Sequence, residues 1–121
     1  MNKTQNQKPF DLEERTFNFA KKVRDLLKNT PKTLINIEYI KQLTRSSSSV
    51  GANYIEVNEA ISKKDFIHRL RISRKEAKES TYWLKLIDFN TNSKLTEESE
   101  KLIDEAMQFV KIFGAIISKS E

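Results

Sequence analysis

Apolar and small side chains return at alternating intervals of four and three along four successive stretches, and only a helix gathers such positions onto one face. Leu12, Thr16, Phe19, Val23 and Leu26 form the first stripe, and Ile40, Leu43, Ser47, Val50, Tyr54, Val57 and Ile61 the second. Phe66, Leu70, Ser73, Ala77, Ser80, Leu84 and Ile87 form the third, and Leu102, Ala106, Phe109, Phe113 and Ile116 the fourth. With 2 Gly and 2 Pro in 121 residues, little interrupts these runs. Four helices with short connections predict an all-α fold, an up-down-up-down antiparallel four-helix bundle. It forms one domain over residues 10–121, after a polar tail over residues 1–9 that is expected to be disordered because it has too little apolar surface to offset ordering.

Cap chemistry places the boundaries. Asp11, with Glu14 three residues on, predicts the start of the first helix, which ends near Asn29 before Thr30-Pro31-Lys32-Thr33. The second runs from Leu34, through Arg45-Ser-Ser-Ser-Ser-Val50-Gly51-Ala52, to Ile61. Serines are weak helix formers, so this stretch reads either as a continuous helix with almost no side-chain bulk or as a break at residues 45–49. Ser62 and Asp65 open the third helix, which ends near Phe89. Asn90–Lys94 reads as a loop, and Thr96 as the cap of a fourth helix reaching about Ser118.

The chain has no Cys and one His. Thiol catalysis, iron–sulfur clusters, cysteine zinc sites and disulfide frameworks are thereby excluded. A bundle can hold a carboxylate-bridged metal pair, but that chemistry needs Glu-x-x-His on two helices. Here there is a single Asp65-x-x-His68, better explained by capping. No Gly-rich phosphate loop or nucleophile motif occurs. No catalytic residue, metal or cofactor is expected. The roughly 20 apolar residues that span a bilayer are missing, as is a signal-peptide core. A cytoplasmic chain without membrane contact is therefore expected.

The fourth helix carries a second apolar stripe, Ile103, Met107, Val110, Gly114 and Ile117, turned about 100° from the first. Either it widens the core-facing arc or it is covered by another subunit, in which case Ile103, Met107, Val110 and Ile117 form the interface. Ile72, Trp83 and Leu86 lie similarly off the core stripe of the third helix.

The opposite face of the third helix is basic. Lys64, His68, Arg71, Lys75, Lys78, Tyr82 and Lys85 share the four-three spacing, with Arg74 beside them. Residues 61–80 hold seven basic and three acidic side chains, +4 of the chain's net +5. Like charges at i,i+4, such as Arg71 and Lys75, repel by a few tenths of a kcal/mol, so helix stability does not call for them. A polyanion backbone would compensate, and Tyr82 could stack on an unpaired base. The plainer reading is a solvated charged face. On the second helix, Arg45, Ser49, Asn53 and Glu56 share a face, but Arg45 and Glu56 stand about 16 Å apart along the axis and cannot pair. Asn53 and Glu56 suit a polar pair that accepts an arginine from a neighbouring helix, a structural role.

The string R-S-x-x-S-V-x-x-N-x-x-E over Arg45–Glu56, with Ser62-Lys-Lys-Asp65-Phe66 and Glu76-Ala77-Lys-Glu79-Ser-Thr-Tyr-Trp-Leu84, resembles the four-helix-bundle family of 23S rRNA intervening-sequence proteins. The likeness covers about nine-tenths of the chain. It is similar also to the accessory variability determinant of diversity-generating retroelements, a basic pentameric barrel that engages nucleic acid and a reverse transcriptase. The resemblance implies a ring-forming homo-oligomer, with five subunits as the expected number, and gives the four motif residues a structural role. The expected function is non-enzymatic, with the basic helix face on RNA or DNA phosphates. The alternative is a scaffold for a protein partner, its lysines only solubilising.

Overall fold

The computed structural model describes residues 9–121. Among them there is no strand, and four helices follow in order: α1 Pro9–Lys28, α2 Leu34–Asn58, α3 Lys63–Leu86 and α4 Ser93–Ser120. Of the expected tail, residues 1–8 lie outside the described residues, and Pro9 is already helical. α1 therefore starts ahead of Asp11, with proline in the first turn, where its missing N–H leaves no bond unmade. Thr33, Ser62 and Asn92 cap the other three, each side-chain oxygen accepting from the backbone N–H three residues on, at 3.0–3.1 Å. Asn92 thus replaces Thr96 as the cap of α4. The earlier start adds a turn that buries Leu95. The connection before it runs from Ile87 to Asn92 and turns at Asn90, whose φ of 58° is a left-handed conformation that asparagine tolerates.

Contacts between helices fix the register. As the chain climbs α2 through Asn36, Ser46, Val50 and Asn53, its partners descend the other side through Asp88, Ser80, Ser73 and Arg69. The two helices are antiparallel. Each helix packs on its chain neighbours and α1 closes the bundle on α4, with α2/α3 and α3/α4 far more closely packed than α1/α4.

α2 is continuous through its serines, and small size explains why. Ser46, Ser73 and Ser80 are buried between α2 and α3. Ser46 and Ser80 share a hydrogen bond at 3.0 Å, and Ser73 donates to the Val50 carbonyl at 3.1 Å. Hydroxyls that would break an exposed helix are paired here and let the backbones approach. Gly51 does the same toward α1, where an added Cβ would stand 3.0 Å from Thr16 Oγ1. α2 ends at Asn58, so Ile61, though in register with its stripe, stands almost wholly exposed in the connection. At the other end, Asn36 is buried and joins two connections. Its Nδ2 donates to the carbonyls of Pro31 and Asp88, at 2.9 and 2.8 Å, and its Oδ1 accepts from Asp88 N at 3.0 Å.

Four aromatic rings run through the centre. Phe19 of α1 meets Phe109 edge-on at 5.6 Å between centroids; Phe109 stacks on Phe113 at 5.9 Å, and Phe113 on Tyr54 of α2 at 5.7 Å. The second stripe of α4 is largely absorbed by the fold. Ile117, expected at a subunit interface, is 4% exposed and belongs to the core. Ile103 and Val110 are half-buried against the core, leaving Met107 as the exposed member of the four. The reason is geometric: a corner helix touches two neighbours, so its apolar arc spans both.

Candidate nucleic-acid interface

The outward face of α3 carries Lys64, His68, Arg71, Lys75, Lys78, Tyr82 and Lys85, all exposed. Arg74 is half-buried, turned toward α4, with Nη1 3.7 Å from where a Cβ on Gly114 would lie. Arg71 pairs with the Glu121 carboxylate at the end of α4. The other cations of the row have no ion-pair partner among the described residues. Arg69, next to His68 in the chain and so about 100° round the helix from it, faces α2 instead and pairs with Asp65 at 3.9 Å.

Antiparallel packing adds to the row what sequence spacing alone does not show. Arg71, Arg74, Lys75 and Lys78 surround Val110 in a shallow depression of about 370 Å³ between α3 and α4. A second depression, about 560 Å³, groups Lys63, Lys64, His68 and Arg71 with Ile67 and Glu121. Lys63 was not legible as a member, because it lies about 100° from the row on the helix itself. Val110 therefore lines a basic groove as well as facing the core.

Aromatic side chains continue the row. Tyr82 meets Trp83 edge-on at 5.0 Å, and Trp83 stacks on Tyr39 of α2 at 6.0 Å. The Trp83 Nε1 is buried without a hydrogen-bond partner among the described residues.

On the α2 face, the four motif residues do not form one cluster. Asn53 Oδ1 accepts from Arg69 Nη1 of α3 at 3.2 Å, while its Nδ2 donates to the Ser49 carbonyl at 2.9 Å. Arg45 donates to Gln42 Oε1 at 2.6 Å. Glu56 is exposed, with no ion pair among the described residues, so the arginine is held by Asn53 and not by the expected Asn53–Glu56 pair. Among the described residues no three His, Asp or Glu side chains gather to hold a metal ion, and no helix is long and apolar enough to cross a membrane.

The family model of the 23S rRNA-intervening sequence protein matches residues 8–115, which include α2, α3 and most of α4. The chain belongs to this family. A similar solved structure is that of a protein with unknown function from the S23 ribosomal protein family of Bacteroides thetaiotaomicron VPI-5482. It is 32% identical, with 87% of this chain and 96% of that chain covered and a TM-score of 0.71. Among curated proteins none matches the chain.

In this intervening-sequence protein, the seam that carries the motif also buries a carboxylate that sequence reading missed. Glu76 of α3 is 8% exposed and its Oε1 has no hydrogen-bond partner among the described residues. Burial raises its pKa above the ordinary 4.5 and Glu79 raises it further, against the opposing charges of Lys75 and Arg45. In a sequence, a Glu amid Lys and Glu reads as solvated. A carboxyl that holds its proton more tightly folded than unfolded makes the fold lose stability as pH rises from the unfolded value past the folded one. Glu76→Gln is therefore expected to be the more stable protein at pH 8, by about 1 kcal/mol, and to lose that advantage by pH 4. Urea unfolding at the two pH values reads the difference directly. An advantage that is absent at pH 8, or equal at both, contradicts the assignment.

Proposed function

We propose that this chain is a non-enzymatic, homo-oligomeric nucleic-acid-binding protein whose α3 face contacts RNA or DNA phosphates with little base readout. The observation that carries this reading is the row Lys64, His68, Lys75, Lys78 and Lys85, exposed on one helix face with no acid paired to it among the described residues. Such a row is unfavourable to the helix by itself and is compensated when counterions on a polyanion are released. The likeness to the accessory variability determinant, a basic ring, supports both the ligand class and an assembly of five subunits. Exposed Met107, Phe17 and Ile55 are apolar side chains left for contact between subunits. Light scattering is expected to give about five times the 14.2 kDa chain mass.

The triple variant Arg71→Glu, Lys75→Glu, Lys78→Glu is expected to bind a labelled, structured RNA roughly a hundred-fold more weakly. If about five phosphates are contacted, the wild-type log–log salt slope is roughly −4, and the variant loses two to three units of it. Fluorescence anisotropy across a salt series gives both, with circular dichroism verifying the fold. Unchanged affinity overturns the reading. In that case, capture of a protein that survives nuclease treatment identifies a scaffold.

A further inference from the structure

We propose that Tyr82 is a stacking platform for an unpaired nucleobase, so that the α3 face prefers single-stranded to duplex nucleic acid. This deepens the reading above and rests on it.

Tyr82 is 60% exposed near the C-terminal end of the basic row. Lys78 stands one turn before it and Lys85 one turn after it, on the same face. A base laid on the ring thus has an ammonium group on either side for the phosphates of its own strand. The platform is buttressed: Trp83 meets the Tyr82 ring edge-on, at an interplanar angle of 79°, and Tyr39 of α2 stacks behind Trp83 at 30°. Two helices therefore hold one exposed ring in place, which lowers the entropy lost when a base stacks on it.

Trp83 bears on the same point. A buried indole N–H normally finds an acceptor, and this one has none among the described residues. Its ring lies between those of Tyr82 and Tyr39 and contacts both. Selectivity follows from access. In a duplex each base face is covered by its neighbours, whereas an unpaired base offers a free π-face of any sequence to an aromatic side chain. The charged row alone binds either form, and the tyrosine distinguishes them.

The test uses two labelled probes, a 15-nucleotide oligouridylate and a 15-base-pair RNA duplex, with anisotropy as the readout of affinity. Tyr82→Ala is expected to weaken oligouridylate binding roughly ten-fold and to leave duplex binding unchanged, and Tyr82→Phe to retain both affinities. Lys78→Ala weakens both probes alike. Trp83 is the chain's single tryptophan, so its emission reports on this spot alone, and oligouridylate is expected to quench it in the wild type while the duplex does not. If wild type binds both probes and Tyr82→Ala changes neither, stacking is refuted and the phosphate-binding row stands. If wild type binds neither probe, the row falls and the platform with it. Tyr82 is exposed, so its removal does not threaten the core.

Discussion

Phe113→Ala is expected to destabilise the bundle by about 3–5 kcal/mol, a large share of the 5–15 kcal/mol typical of a domain. Phe113 is fully buried, between Phe109 of its own helix and Tyr54 of α2. Truncation removes two ring contacts and leaves a cavity that the closely packed α2, α3 and α4 cannot collapse to fill. The urea midpoint falls by roughly 2 M with the slope unchanged. Phe113→Leu, which keeps most of the volume, is expected to cost under about 1.5 kcal/mol. A loss below 1 kcal/mol for the alanine variant would mean that the aromatic chain is not the centre of the fold.

Asn36→Ala follows, at about 2–4 kcal/mol, although it deletes few atoms. One buried amide satisfies the Pro31 carbonyl, the Asp88 carbonyl and the Asp88 N–H, and its loss strands three backbone groups at the closed end of the bundle. Asn36→Asp is no rescue, since a carboxylate cannot donate to either carbonyl. Calorimetry measures the loss. Hydrogen exchange localises it, with the Asp88 amide expected to lose protection while mid-helix amides of α3 keep theirs. An equal fall everywhere would show that Asn36 acts through global stability alone.

These two residues differ in how far the sequence disclosed them. Phe113 lies on a four-three stripe, and a stripe needs only the helical period to be read. The same holds for Leu43, Val50, Leu70, Leu84 and Phe109, which the structure buries, and for the outward side of α3, where exposure follows from the core lying opposite. Asn36 has partners 5 and 52 residues away, and nothing local distinguishes it from a surface asparagine. Glu76 is hidden likewise, among charges that in isolation suggest water. Period also misleads where it runs past its helix: Ile61 keeps step with Val57, yet the helix has ended at Asn58. On α4, Ile117 looked like surplus because one sequence does not say that a corner helix serves two neighbours. The groove around Val110 needs the register of α3 on α4, which is a property of the folded pair.

The open side of the bundle, where α1 lies against α4, has a consequence for how a touch there is transmitted. Arg15 clasps both oxygens of Glu105, at 2.7 and 3.1 Å, while its guanidinium covers the Phe109 ring at 5.2 Å. Prising α1 outward therefore strips a charge of its counterpart and a core ring of its lid in the same movement. From Phe109 only one further ring separates that edge from Tyr54 on the far wall, so the loosest margin of the molecule is wired straight to its middle.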